Sequence, residues 1–196
     1  MQNILKKIYI LIFVSLYLLN VNIHAYYVNS RKWIGLDVFS SFLAADQKID
    51  EKNNIKFILI ILTYIDAEKE AHEMAEYLEK RIRSIKGKPI KVEITDKPIS
   101  TIKKLNNING VFLSQRYKRY VQSEEKILKD IIYETQLKEA ILFSPFEGDV
   151  ERGCLGGLTV SDIIIPYINM LAKEKSKIKL QKLFLKIAEQ YPPTNK

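Results

Sequence analysis

The sequence predicts an α/β fold: a single three-layer domain of the Rossmann or flavodoxin type, with a mostly parallel sheet and a C-terminal β-hairpin. Apolar runs alternate with segments of helical periodicity between residues 55 and 143. The first run, residues 55–64, is apolar almost throughout, which is typical of a strand buried on both faces of a parallel sheet. Beyond residue 157 the rhythm changes to two short apolar segments separated by Ser161-Asp162, which indicates a hairpin.

The first 25 residues have the layout of a secretory signal peptide. Lys6 and Lys7 precede an apolar run at residues 8–19, and Ala25 is a small residue at the expected cleavage site. The run is shorter than the roughly 18 residues that a membrane span needs. Because Ile23 is larger than the residue usual two places before the cleaved one, an uncleaved N-terminal membrane anchor is the alternative. We therefore predict a periplasmic protein whose residues 26–196 form a single domain.

Charge and cysteine content restrict the classes of partner. The formal net charge is +8, and about +6 once the two signal-peptide lysines are removed. In a secreted protein we expect no nucleic-acid partner, so the excess is interpreted as a lysine-rich solvated surface, with anionic lipid or an acidic partner as alternatives. Cys154 is the only cysteine, which excludes an intramolecular disulfide. We expect its thiol to be buried, with pairing between chains as the alternative.

Helical periodicity and end signals predict the helices. They cover residues 33–45, 66–87, 98–105, 123–137, 169–175 and 180–190. Asp66 and Asn169 are the expected N-caps of two of them, because a short polar side chain can accept a bond from the first free amides. Pro98 suits the first position of a helix, and Gly87 is the expected end of the helix that Asp66 begins.

The predicted strands complete a β-α-β-α-β-α-β order. They are residues 55–64, 89–94, 111–113 and 139–143, and residues 106–110 are expected to form a turn. Pro166 lies inside the second hairpin arm, which predicts an edge strand or a bulge there. In open parallel sheets, ligands bind beyond the carboxyl ends of the strands.

The stretch 147–157 directly follows the fourth predicted strand and carries three acids, one arginine and four glycines. Its candidate contacts to a ligand or partner, together with one residue beyond the hairpin, are Glu147, Asp149, Glu151, Arg152 and Asn169. Its glycines, which we expect to supply positive φ, are Gly148, Gly153, Gly156 and Gly157. We interpret the stretch first as a rigid turn and second as a contact surface, with catalysis last.

Catalytic and metal-binding patterns are lacking in the sequence. His72 lies in His72-Glu73-Met74-Ala75-Glu76, which has no second histidine to complete a helical zinc motif. Ser144 is followed by proline instead of the glycine pattern of a nucleophile elbow. The glycines lack the glycine-lysine-serine ending of a phosphate loop. We therefore predict no enzyme, no cofactor and no metal site.

The order of features after the fourth strand resembles that of a known family. Phe146 lies in a turn, Gly156-Gly157 precede the hairpin, Asn169 follows it, and the closing helix contains residues 183–188. This part of the chain is similar to the C-terminal half of the YfiR family of small periplasmic α/β proteins. Residues 147–152 are more charged than the usual turn of that family, and residues 33–45 are only broadly similar to its first helix.

The resemblance implies a regulatory function. YfiR-type proteins repress a membrane-bound diguanylate cyclase by protein contact. By that analogy, this chain is a non-enzymatic periplasmic protein that binds an inner-membrane signalling partner, either a diguanylate cyclase or a sensor. The alternative is a small-solute-binding module of a transport or sensing system, with Arg152 anchoring an anionic ligand. The sequence leaves the oligomeric state open.

Overall fold

Strands and helices alternate along the chain as the apolar pattern predicts. The structure is a computed structural model and describes residues 30–51, 55–118 and 120–193. The strands are β1 (Ile58–Thr63), β2 (Ser84–Ile85), β3 (Lys88–Thr95), β4 (Ile108–Leu113), β5 (Ile141–Phe143), β6 (Gly156–Val160), β7 (Ile164–Asn169) and β8 (Glu189–Tyr191). The predicted signal peptide lies outside the described residues. Within them, no helix combines the length and the apolar character needed to cross a membrane.

The helices cover both faces of the sheet. They are α1 (residues 30–45), α2 (Lys48–Glu51), α3 (Glu68–Glu76, continued by a π-helical turn Tyr77–Ile82), α4 (Pro98–Lys104), α5 (Gln122–Leu137), α6 (Met170–Lys175) and α7 (Lys182–Ile187). Alternate residues of β1 enter two separate cores: Ile60 packs with α1 and α3, and Ile61 packs with α4 and α5. Burial of both faces explains the continuous apolar run of this strand.

The strands form one sheet in the order β2-β3-β1-β4-β5-β6-β7-β8. The five strands from β3 to β6 in that order are mutually parallel, β7 runs antiparallel to β6, and β8 runs parallel to β7. The predicted α/β class with a mostly parallel sheet and a C-terminal hairpin is therefore confirmed. Because β1 lies between β3 and β4, the strand order reverses there, as in flavodoxin-like sheets.

Aromatic packing fixes α1 on the face of the sheet that carries Ile60. Phe39 and Phe42 of α1 contact Phe143 of β5 with ring centroids 5.5 and 5.4 Å apart. The rings come this close to the sheet because two strand positions have no side chain. A Cβ on Gly110 would lie 2.5 Å from the Phe39 ring, and one on Gly156 would lie 2.7 Å from the Phe42 ring.

The predicted limits of the second helix are wrong. Ala67, not Asp66, occupies the N-cap position, and the Asp66 carboxylate instead accepts a hydrogen bond from the Gln115 amide. The helical segment ends at Ile82, because Ser84–Ile85 pair with the start of β3 in a hairpin. Gly87, with φ +74°, lies in the turn of that hairpin.

The β4 strand begins at Ile108, inside the predicted turn. The register between β1 and β4 shifts between Leu59 and Ile60. At this irregularity the side-chain oxygen of Asn109 accepts a hydrogen bond from the Leu59 amide at 2.9 Å, and this bond replaces one to a backbone carbonyl. Turn-forming residue types are thus accommodated within a strand, since Asn109 fills the bulge and Gly110 makes room for Phe39.

The C-terminal segment differs most from expectation. Val160 pairs with Ile164, so the hairpin loop has three residues instead of two. The segment predicted as helix to residue 190 ends its helix at Ile187, and β8 follows and pairs with residues 167–169. The C-terminal half of β7 is therefore not an edge. Pro166 lies just before the residues that pair with β8, so its missing N–H removes no bond of the β7–β8 ladder.

Candidate functional site

The loop after β5 closes around a buried carboxylate. Asp149 is 0% exposed and accepts hydrogen bonds from Ser144 Oγ at 2.6 Å and from Arg152 Nη1 at 2.8 Å. Arg152 Nη1 also donates to the Tyr117 carbonyl oxygen at 2.7 Å, and Nη2 pairs with the Glu125 carboxylate. The Arg152 guanidinium thus joins this loop to the β4–α5 connection and to the first turn of α5.

The electrostatics of this cluster are those of a structural ion-pair network. Burial raises the pKa of Asp149, although hydrogen bonds and charge from Ser144 and Arg152 oppose the rise. The Arg152 hydrogen bond lowers the pKa of Glu125. Burial likewise raises the pKa of the Cys154 thiol well above its usual value, and Cys154 is free and 0% exposed, which confirms its predicted burial. The side chains of Asp149 and Arg152 are buried while that of Glu125 is partly exposed, and the bonds among them link the loop to the β4–α5 connection and to α5.

The predicted site residues separate into two groups. Asn169 caps α6 by accepting the Ala172 amide at 2.9 Å, and its amide nitrogen donates to the Val150 carbonyl at 2.6 Å, as its predicted N-cap position implies. Asp149, Arg152 and Asn169 are therefore held by internal bonds. Glu147 and Glu151 are exposed and face outward.

Two of the four glycines act as predicted. Gly148 and Gly153 have φ of +84° and +120°. For Gly156 and Gly157 the expectation of positive φ is wrong, because both are ordinary residues of β6. Their requirement is for space: a Cβ on Gly157 would lie 2.5 Å from Val150, as one on Gly156 would meet Phe42.

Glu147 and Glu151 line what we call the acidic groove, a depression of about 300 Å³ that also includes Tyr167 and Glu189. Burial raises the pKa of Tyr167, and the hydrogen bond and charge of Glu151 and then the charge of Glu189 raise it further. The phenol therefore stays protonated. At the base of the groove, buried Arg31 donates to the Leu158 carbonyl at 2.6 Å.

A larger cavity, which we call the switch-point pocket, was not predicted from the sequence. It has a volume of about 580 Å³ and lies between α4 and α5, beyond the carboxyl ends of β1, β3 and β4. Its walls are mainly apolar and aromatic; they include Tyr64, Ile65, Pro98, Ile99, Tyr117 and Ile127. Its polar lining includes Asp96, Lys97, Ser100, Lys103 and Glu124. The lining comes from four separate segments, so no local motif marks it.

Hydrogen bonds join the segments that follow β1 and β4, the two strands between which the strand order reverses. Gln115, after β4, accepts the Asp66 amide at 2.9 Å from the loop after β1. Tyr117 is 3% exposed, and burial raises the pKa of its phenol. Its carbonyl is the one that Arg152 binds. The predicted stretch therefore supports a wall of the switch-point pocket instead of forming the pocket itself.

Potential metal-ligating side chains do not cluster among the described residues. No group of three histidine, cysteine or carboxylate side chains is arranged to hold an ion in these parts of the chain. His72 is mostly exposed and lies 3.8 Å from Glu68, one helical turn earlier. His72, Glu73 and Glu76 of this motif lie on the solvated face of α3, whereas Met74 and Ala75 are buried.

Comparison with known proteins gives a likeness of fold only. No protein-family profile matches the chain, and no curated protein matches it. It is similar to the ABC domain from Streptococcus pneumoniae crystallised with L-Trp, with 12% identity over 76% of this chain and 60% of that one, and a TM-score of 0.47. A conserved domain protein from Vibrio cholerae O1 biovar El Tor gives 14% identity, 74% and 58% coverage, and a TM-score of 0.48. The chain thus spans about three-fifths of each, and likeness at this level carries no argument about function.

Proposed function

We propose that this chain is a non-enzymatic binding module that takes a small ligand with an apolar body into the switch-point pocket. The observation that carries the proposal is the position of the pocket at the reversal of strand order, where open α/β sheets bind their ligands. A volume of about 580 Å³ is of the size usual for small-molecule sites.

The lining supports a ligand with an apolar body and a polar end. Pro98, Ile99 and Ile127 offer apolar contact, while Lys97 and Asp96 at the rim offer charges of both signs. Arg152 is not the anchor for a ligand, because its side chain is 8% exposed and already bonds three groups. An anionic end group would instead pair with Lys97, which is exposed at the start of α4.

Anilinonaphthalene sulfonate, a fluorescent probe with apolar rings and an anionic group, tests the pocket. We expect the folded chain to bind the probe and Ile99→Trp, which fills the pocket, to weaken binding strongly. Leu137→Trp is the matched control, since Leu137 is 61% exposed on α5 away from the pocket. Lys97→Glu should weaken binding more than Lys69→Glu, whose side chain is 94% exposed on α3. Equal binding by Ile99→Trp and wild type, at equal thermal stability, would refute the assignment.

A thermal-shift screen of small metabolites then identifies the natural ligand class. A compound that stabilises the wild type but not Ile99→Trp acts through the switch-point pocket. A compound that stabilises both variants equally binds elsewhere.

A second candidate function, favoured by a different surface, is the regulatory one that the YfiR resemblance implies. Next to the acidic groove, the hairpin exposes Val160, Ile163 and Ile164 by 39%, 65% and 44%. Exposed aliphatic side chains beside exposed carboxylates are typical of a protein contact. We propose this surface as the contact with a membrane-bound diguanylate cyclase or sensor.

Capture of that partner from membranes tests the second candidate. The variant Glu147→Lys/Glu151→Lys should lose capture of the cyclase or sensor kinase encoded nearest to this chain, whereas Glu73→Lys on α3 should retain it. Both glutamates of the double variant are exposed, so the fold should survive. Unchanged capture by the double variant would exclude the acidic groove as the contact.

Either function is proposed to operate in the periplasm. Cell fractionation and N-terminal sequencing of the mature chain test this, and the expected first residue is Tyr26. Retention of Lys6 and Lys7 in a membrane fraction would support the alternative of an N-terminal anchor.

A further inference from the structure

The end of the chain carries an unusual concentration of positive charge. Residues 170–188 contain six lysines and one acidic residue, Glu174. The lysines are Lys173, Lys175, Lys177, Lys179, Lys182 and Lys186. This segment alone has a formal charge of +5, out of +8 for the whole chain.

Large aliphatic side chains stand exposed among these lysines. On α7, Leu183 is 72% exposed and Ile187 is 60% exposed. They are four residues apart, so they lie on the same side of the helix, next to exposed Lys182 and Lys186. The opposite side of α7 is anchored by buried Phe184, whose ring centroid lies 4.9 Å from that of Phe42. We call Lys182, Leu183, Lys186 and Ile187 the α7 patch.

Little negative charge in the described residues offsets these lysines. Of the ion pairs between described residues, the one that involves this segment joins Lys177 to Glu139 at 4.0 Å, with the Lys177 side chain 78% exposed. Glu139 also pairs with Lys48. The lysines of the α7 patch are thus available to an external anion.

The composition of the patch distinguishes among surfaces that could cover it. A surface that contacts only water gains no stability from exposing Leu183 and Ile187. An interface with an apolar partner gains none from the flanking lysines. Exposed aliphatic side chains flanked by lysines are typical of a helix lying in a membrane interface, where apolar groups insert and long lysine side chains reach the phosphates. Lysine, as a compact and mobile charge, suits phosphate head groups without requiring a fixed geometry.

We propose that the α7 patch docks on the surface of an anionic phospholipid bilayer, with Leu183 and Ile187 inserted among the head groups and the lysines of residues 170–188 on the lipid phosphates. The contact is shallow, because α7 has six residues and is therefore shorter than two helical turns. It is therefore reversible and weakens with salt. It does not depend on a ligand in the switch-point pocket.

A local fluorescent label on the full chain tests the contact. Because Cys154 is 0% exposed, a cysteine placed by Leu183→Cys is the one accessible thiol in the folded chain and can be labelled with an environment-sensitive nitrobenzoxadiazole dye. We expect its emission to shift to the blue with vesicles of phosphatidylcholine and phosphatidylglycerol, to return in high salt, and to stay unchanged with phosphatidylcholine alone. The same dye on Ile187→Cys should behave alike, and on Leu137→Cys of α5 it should not shift.

Charge reversal separates lipid docking from tethering by the N-terminal apolar run. The variant Lys182→Glu/Lys186→Glu, in the labelled Leu183→Cys background, should lose the shift, while Lys69→Glu/Lys126→Glu should keep it. Tethering by residues 8–19 alone would leave the label at residue 183 in water and would refute the proposal. So would an equal shift at Leu137→Cys, or a shift in phosphatidylcholine alone that salt does not reverse. Absence of any shift with anionic vesicles would likewise refute the proposal.

Discussion

Removal of the Arg152 guanidinium is the sharpest test of the cluster after β5. Arg152→Met keeps most of the side-chain volume but removes the hydrogen bonds to the Tyr117 carbonyl, Asp149 and Glu125. It leaves the fully buried Asp149 carboxylate with Ser144 as its remaining side-chain partner in the structure. Breaking a buried pair by removing one partner costs about 3–5 kcal/mol, because the other charge stays desolvated. We expect that loss in urea unfolding followed by circular dichroism at neutral pH.

The pH dependence of the loss identifies its cause. Burial already raises the pKa of Asp149 in the wild type, and losing the positive charge raises it further. A group whose native pKa exceeds its unfolded value stabilises below the unfolded pKa, and that contribution disappears as the pH rises through the native pKa. Glu125 also stabilises the wild type. Because its pKa is lowered in the native state, that contribution is present at pH values above the unfolded-state pKa of the same carboxylate. Both effects make the deficit of Arg152→Met grow from about pH 4 toward neutrality.

Two controls complete the experiment. Lys69→Met removes a cation whose side chain is 94% exposed and whose distance to Glu73 is 4.0 Å, so it should change stability by no more than about 0.5 kcal/mol. The double variant Arg152→Met/Asp149→Asn should cost less than the sum of its single changes, because it leaves no unpaired charge. A deficit for Arg152→Met below about 1 kcal/mol, or one that does not vary with pH, would show that the cluster does not hold the loop.

Three further predictions follow from individual contacts. Gly156→Ala should destabilise the fold by about 1–3 kcal/mol in urea unfolding, since its Cβ would meet the Phe42 ring at 2.7 Å; an unchanged midpoint would mean that α1 shifts freely. Asn169→Ala should cost at least about 0.5–2 kcal/mol through loss of the α6 cap, and Asn169→Asp, which keeps that cap but loses the donor to the buried Val150 carbonyl, should not restore the wild-type midpoint. Cys154 should not react with Ellman's reagent until the chain unfolds, because burial hides the thiol and raises its pKa; rapid reaction of the native protein would contradict this.

The elements that could be predicted are those whose signal is local. The apolar run that became β1 needs burial on both faces wherever it lies in the sheet, and α5 has helical periodicity over its whole length. Pro98 begins α4 because a proline at the first position loses no helical bond. Asn169 caps α6 through a side chain that acts within three residues. In each case the determining contacts lie within the element or depend only on its being buried.

The elements that could not be predicted depend on pairing with distant residues. Gly87 is compatible with a helix end and with a hairpin turn, and pairing of β2 with β3 selects the turn. β8 follows a helical stretch and exists because β7 presents residues 167–169 to it. Gly156 carries the same sequence signal as a turn glycine, although its constraint is the Phe42 ring, more than a hundred residues earlier. Long-range packing overrides local preference at such positions.

The same distinction explains why the site predicted from the sequence and the switch-point pocket lie at the ends of different strands. The acids and glycines of residues 147–157 predict a site at the end of β5, but the strand order places the reversal between β1 and β4. Strand order is a property of pairing, and no residue in β1 or β4 encodes it by type. The 147–157 stretch nevertheless contributes, because Arg152 fixes the Tyr117 carbonyl beside the pocket. A change in the loop after β5 should therefore reach the switch-point pocket through Tyr117, and Arg152→Met should weaken binding of anilinonaphthalene sulfonate although Arg152 does not line the pocket.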